Sequence, residues 1–164
     1  MSRLSTIELY KEDMKFSIGH FTIFSETIRE NLHGHNYNIY AAVTTEIGGE
    51  GLSFDYRFYK EKLSRLCQSL DEVVIIPGNC SHLRISDEGK YYHLHFNDEV
   101  MIFLKRDIKI LPITNVTVEE LSYWFLHQIL LDQEELNQNK IKSILIKVFS
   151  GPGQSGSAQW KVNC

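Results

Sequence analysis

His20, twelve intervening residues, and then the triplet His33-Gly34-His35 form a His-x12-His-x-His pattern that suits an open metal site. Neutral imidazole nitrogens bind zinc at roughly 2.0–2.1 Å, and three protein ligands leave a fourth position for water or substrate, which is the catalytic arrangement. On an extended strand residues i and i+2 share a face, so His33 and His35 can grip one ion while His20 arrives from a neighbouring strand. Gly34 leaves the opposite face uncluttered. A rival trio exists in His82, His93 and His95. If a hairpin turns at Glu88-Gly89, His82 lies opposite His95 with His93 on the same face. Decoration of a solvent-facing hairpin accounts for that trio, since nothing near it resembles a substrate pocket.

The elements that must position the first trio are legible in the periodicity. Residues 7–20 alternate imperfectly and are rich in Phe, Ile and Tyr, and residues 37–44 continue the His-Gly-His segment, so the two are expected to pair as a long hairpin. Gly48-Gly49-Glu50-Gly51 breaks the second strand, and Ser53 or Asp55 is placed to cap a helix carrying Tyr59, Leu63, Leu66 and Leu70 on one face. Cys67 shares that apolar spacing and reads as core, whereas Cys80 reads as a loop residue. Residues 81–96 predict a second hairpin turning at Asp87-Glu88-Gly89-Lys90, with a short extended piece at 101–104. Thr117-Val118-Glu119-Glu120 has the form of a capping box opening a helix that buries Leu121, Trp124, Phe125 and Gln128 and ends near Leu136. Ile144, Ile146 and Val148 alternate in a strand over 141–149, which Gly151-Pro152-Gly153 stops. Strands and helices in this order predict an α+β sheet with both helices on one face.

Composition bounds the rest. A chain of 164 residues, 43% apolar and 12% aromatic, fits one packed domain over 1–164. A formal charge of -4 without any Lys/Arg run argues against a nucleic-acid binder. Cys67, Cys80 and Cys164 are scattered and contain no C-x-x-C pair, so neither a disulfide framework nor a thiolate zinc knuckle is expected. Met1-Ser2-Arg3-Leu4-Ser5 has no apolar signal core and no window approaches a membrane span, so a cytoplasmic location is expected.

Phe16-Ser17-Ile18-Gly19-His20, Leu32-His33-Gly34-His35-Asn36-Tyr37, Gly51-Leu52-Ser53-Phe54-Asp55-Tyr56, Leu70-Asp71-Glu72, Thr117-Val118-Glu119 and Pro152-Gly153-Gln154-Ser155 follow one another in an order that resembles the 6-pyruvoyl-tetrahydropterin synthase and 6-carboxy-tetrahydropterin synthase family. The resemblance spans most of the chain. It implies the tunnelling fold (T-fold), a four-stranded antiparallel sheet with two helices, here with the 81–96 hairpin as an extra. It also implies trimers stacked into homo-hexamers with active sites between subunits. The implied cofactor is Zn2+ on His20, His33 and His35, and the implied substrate is 7,8-dihydroneopterin triphosphate. Thr117, Glu119 and the end of the last family strand, here Ser150, are the implied pterin contacts.

Three departures from the family pattern shape the expected chemistry. No cysteine base occurs between His20 and His33, and Glu30 stands where a subgroup of the family carries glutamate and cleaves the side chain to 6-hydroxymethyl-dihydropterin. Glu26 is the runner-up. Glu72 replaces the relay histidine after Asp71, so a relay through Asp71 and Glu72 needs a shared proton. Ser150 replaces the glutamate that holds two adjacent pterin N–H donors, and one hydroxyl cannot accept in a fork, which leaves Gln154 or a neighbouring carboxylate as substitutes. The expectation is a zinc-dependent lyase whose product belongs to the folate or the queuosine route, with a tetrahydrobiopterin-type reaction ranking third. The alternative is a zinc-retaining relative that binds another ligand, or serves as a scaffold, without turnover.

Overall fold

The computed structural model describes residues 3–162, so Met1, Ser2 and Cys164 of the readings above lie outside the described residues. The spine of the molecule is a 15-residue strand, β3 (His33–Ile47), and both preceding strands pair antiparallel with the same edge of it. β2 (Lys15–His20) takes its first half, from Lys15↔Asn38 to His20↔His33, and β1 (Arg3–Leu9) takes its second, from Leu9↔Ala41 to Arg3↔Ile47. The expected long hairpin therefore forms with its first strand interrupted. Lys11-Glu12-Asp13 are all exposed and cannot supply an inward residue at every second position, so the chain turns there, with the Met14 amide donating to the Lys11 carbonyl at 3.0 Å. Met14 itself is fully buried and its carbonyl accepts from the Ile39 amide, which keeps the interrupted strand on β3.

α1 (Arg57–Leu70) follows, burying Tyr59, Leu63, Cys67 and Leu70. Tyr56 holds its N-cap position, but the Asp55 carboxylate accepts from the first-turn amide of Arg57 at 3.0 Å. β4 (Val73–Pro77) then lies parallel to β2. The 81–96 segment forms the expected hairpin, β5 (Arg84–Glu88) and β6 (Tyr91–Phe96), and β7 (Glu99–Leu104) joins it as a third strand. Its register puts Arg84, not His82, opposite His95, because pairing begins only after an exposed turn that contains His82; the rival histidine trio does not assemble. β8 (Ile108–Leu111) lies parallel to β4.

α2 (Val118–Leu130) starts as expected, with the Thr117 hydroxyl accepting from the Glu120 amide at 3.3 Å, but the Glu120 carboxylate reaches back to the Thr114 amide rather than to Thr117. The helix also ends earlier than Leu136. Asp132 accepts from the Glu135 amide and opens a separate short helix, α3 (Gln133–Gln138), so Asp132-Gln133-Glu134-Glu135 is itself a local helix start. β9 (Ile141–Gly151) returns along the free edge of β3, and β10 (Gln154–Lys161) pairs with β9.

β1 and β2 counted as one interrupted strand, with β3, β9 and β10, make the expected four-stranded antiparallel sheet; β4 and β8 widen it in parallel. One face carries Phe16, Ile18, Tyr37, Ile39, Ala41, Val43, Ile144, Ile146 and Val148, all buried in one cluster with the apolar faces of α1 and α2. A second cluster, built from Phe21, Ile23, Ile76, Leu83, Leu94, Phe96 and Ile108, fastens the β5–β7 sheet to β4, β8 and the segment after β2.

Candidate metal centre

Register decides what meets at the end of the β2–β3 hairpin. His20 pairs directly with His33, and the alternation of β3 sends His33, His35 and Tyr37 to the helix-covered face. The stacked rings of Phe16 and Tyr37, 5.2 Å apart, bring the apolar core up to the site, Ile18 pairs with His35, and the histidines occupy the last rungs. Their ring centroids lie 4.5, 4.8 and 5.2 Å apart, and one ligand nitrogen from each falls within 4.8 Å of the others. Among the described residues this is the one such cluster of three.

The rings are oriented for a ligand. His20 Nδ1 lies 3.2 Å from the Val116 carbonyl and His33 Nδ1 2.8 Å from the Asn31 carbonyl, so each Nδ1–H donates to backbone and each Nε2 keeps its lone pair. His33 Nε2 and His35 Nε2 stand 3.1 Å apart, close to the edge of about 3.3 Å that a tetrahedral ion with 2.0–2.1 Å bonds requires. Burial first, then the neighbouring His33 and His35 rings, push the His20 imidazole down to about 4, so it is neutral at physiological pH. The Tyr37 phenol, 3.3 Å from His20 Nε2, is pushed up to about 12 by burial and then by Glu30, and stays protonated. Three convergent imidazoles, two of them with tautomers fixed by backbone carbonyls, fit a metal ion.

Glu30 is delivered by a short return of the chain. Its amide donates to the Thr22 carbonyl at 2.8 Å, and its carboxylate accepts from the Thr22 amide at 2.9 Å and stands 4.0 Å from His33 Nε2. Desolvation raises this carboxyl, but the Thr22 hydrogen bonds and the fields of His33 and His20 outweigh it, and the net direction is downward. Glu30 is thus ionised at neutral pH. Glu26, by contrast, is exposed in the turn of that segment and does not line the cavity.

A cavity of about 240 Å³ collects the three histidines, Glu30, Thr117, Glu119, Ser150 and Gln154. Asp71 and Glu72 are elsewhere. Asp71 accepts from the Ser17 amide at 2.7 Å, and the Glu72 amide donates to the Ser17 carbonyl, so both sit beside the outer edge of β2. Glu72 lines a neighbouring, larger hollow of about 870 Å³ with Asn36 and Asn38 of β3, and His35 and Ser150 border both spaces. Sequence reasoning missed Thr22, Tyr37 and Asn115. Tyr37 was detectable, being two residues past His35 on the same face; Thr22 and Asn115 act through contacts that no local pattern signals.

The comparisons agree with this geometry. The family profile described as 6-pyruvoyl tetrahydropterin synthase matches residues 8–159. Among curated relatives, a putative 6-carboxy-5,6,7,8-tetrahydropterin synthase of Methanocaldococcus jannaschii is 25% identical over 142 residues, 86% of either chain. One of the same description from Pyrococcus horikoshii is 26% identical over 139 residues, 84% of this chain and 81% of that one. The crystal structure of the Plasmodium vivax 6-pyruvoyl tetrahydropterin synthase superposes with a TM-score of 0.90 at 26% identity, covering 98% of this chain and 99% of that one. The solved structure of the Plasmodium falciparum synthase gives 0.90 and 26%, covering 97% of this chain and 99% of that one. No helix among the described residues is long and apolar enough to cross a membrane. With a matching profile over nearly its whole length, a shared fold and a histidine cluster that can hold a metal ion, this chain belongs to the 6-pyruvoyl tetrahydropterin synthase family, whose members are pterin-binding lyases.

Proposed function

We propose that this protein is a cytoplasmic, zinc-dependent lyase acting on 7,8-dihydroneopterin triphosphate or a close relative, with His20, His33 and His35 holding the ion. The observation that carries this reading is the convergence of the three imidazoles and Glu30 in one cavity with Thr117 and Glu119. Zinc, when bound, supplies a Lewis acid. The chain's own residues do the rest. Glu30, ionised and tied to Thr22, accepts the substrate proton, its position compensating for its low basicity. Glu119 and Gln154, with Ser150 and Thr117, offer acceptors to the pterin ring, and Glu119 is the carboxylate available for the role that Ser150 cannot fill.

Neither Asp71 nor Glu72 lines this cavity within one chain, so a proton role for them is assigned only to a second copy, in keeping with a proposed homo-hexamer. Of the products, 6-hydroxymethyl-dihydropterin is favoured by Glu30. Solved variants of the Plasmodium vivax synthase are described as substitutions of a catalytic glutamate by alanine and by cysteine, which supports a glutamate base. The 6-carboxy-tetrahydropterin reaction, named for the archaeal relatives, is the second product route. A further reading, a zinc-binding relative without pterin turnover, is motivated by Ser150. The test is to incubate the zinc-loaded protein with 7,8-dihydroneopterin triphosphate and identify pterin products by mass. Glu30→Gln is expected to lower turnover by about 10²–10⁴-fold with zinc content unchanged. No new product at full zinc occupancy favours the non-catalytic reading, and an undiminished rate in Glu30→Gln removes Glu30 as the base.

A further inference from the structure

Among the described residues the β5–β7 sheet makes one polar connection to the segment that carries Glu30, and it runs through Arg29. Arg29 Nε and Nη2 both donate to Glu99 Oε2, at 2.9 and 2.5 Å, and Glu99 is the first residue of β7. From the same guanidinium, Nη1 donates to the backbone carbonyl of Glu30 at 2.8 Å. The guanidinium also lies over the ring of Phe21, 5.3 Å from its centroid, and of Phe96 in β6, at 5.8 Å. Its side chain is only 16% exposed, although Glu99 is 53% exposed. Two aromatic faces and a carboxylate therefore fix a cation whose remaining donor holds Glu30.

Glu30 is tied at three points. Thr22 takes its amide and its carboxylate, and Thr22 is held in turn between the buried Phe21 and Ile23, the latter bonded to Asn115. The carbonyl bond from Arg29 is the hydrogen bond that refers Glu30 to the β5–β7 sheet. We infer that Arg29, clamped by Glu99, is a positioning residue for Glu30, and that the β5–β7 sheet serves as the rigid support of the base. The inference rests on the reading of Glu30 as base. A lysine cannot replace Arg29, because only a guanidinium presents a planar fork to the carboxylate together with a further donor and a face for two rings. A displacement of the order of 1 Å at a reacting group costs up to about a hundredfold in rate.

The experiment uses full-length, zinc-loaded protein carrying Glu99→Ala, Glu99→Gln or Arg29→Lys, each alone and combined with Glu30→Gln. Glu99→Ala and Arg29→Lys are expected to lower kcat by roughly ten- to a hundredfold with KM changed less than about twofold and zinc content unchanged. Glu99→Gln, which keeps an acceptor oxygen, recovers part of that loss. In the Glu30→Gln background Glu99→Ala has no further effect, because what it positions is already gone. Hydrogen exchange of the metal-free protein gives a reading that needs no turnover, with the Glu30 amide expected to exchange about tenfold faster in Glu99→Ala. Unchanged kcat in Glu99→Ala, or a loss that repeats in full in the Glu30→Gln background, overturns the clamp. Failure of the base reading looks different: Glu30→Gln then remains active, and unaltered exchange at Glu30 in Glu99→Ala is the result that overturns the clamp.

Discussion

Gly156 in β10 packs against the first turn of α2, and an alanine there has nowhere to go. A Cβ built on Gly156 meets the Val118 carbonyl carbon at 2.5 Å and the Glu119 nitrogen and Val118 oxygen at 2.6 Å, all backbone atoms. Real Cβ contacts essentially never fall under 3.0 Å, and ordinary contact begins at 3.4 Å, so strand and helix must part by up to 0.9 Å. No side-chain rotation relieves this. Overpacking of this kind costs about 1–3 kcal/mol, which for a chain of this size lowers Tm by roughly 2–12 °C. The same movement shifts Thr117 and Glu119 in the cavity, whereas His20, His33 and His35 stand on β2 and β3 and are not displaced. Gly156→Ala is therefore expected to lose thermal stability and pterin affinity while retaining metal. Differential scanning calorimetry, equilibrium binding of a pterin and metal analysis read the three quantities. Ser157→Ala, one residue along on the exposed face of β10, is the control and should stay within about 0.5 kcal/mol of the parent. A Gly156→Ala protein melting within about 1 °C of the parent refutes the steric argument.

Asn115 Oδ1 accepts from the Ile23 and Val116 amides at 3.1 and 3.0 Å, and its Nδ2 donates to the Ile23 carbonyl at 2.7 Å, so it holds the carbonyl that orients His20. Asn115→Ala should weaken metal affinity roughly tenfold in a chelator competition; equal affinity contradicts this support role. Tyr59 donates to Glu135, and burial first, then that bond, pushes the phenol above its usual range, while burial also raises Glu135 against the bonds from Tyr59 and Asn139. A phenol raised in the folded state contributes stability that is complete below its unfolded value near about pH 10 and is lost as pH climbs above it. Tyr59→Phe should cost about 1.5–3 kcal/mol at neutral pH and fall less steeply than the parent in denaturant titrations between about pH 9 and 11. Parallel slopes refute the assignment.

The sequence alone determined what local periodicity and local chemistry can carry. His33 and His35 share a face because a strand repeats every two residues; Thr117 starts a helix because its hydroxyl meets an amide three residues on. The inward faces of β3, β9 and α1 follow from the same rule, as does the turn at Gly89. Boundaries failed where a competing local signal was overlooked, at the Lys11-Glu12-Asp13 turn and at the second cap on Asp132. Only the tertiary structure decided that β4 and β8 extend the sheet in parallel, that Asp71 and Glu72 sit by β2 away from the histidine cavity, and that Arg29 joins Glu30 to Glu99. Glu99 stands 70 residues beyond Arg29, and Asn115 92 beyond Ile23. Contacts at that range arise from how whole elements pack, so their partners leave no trace in the spacing of either segment.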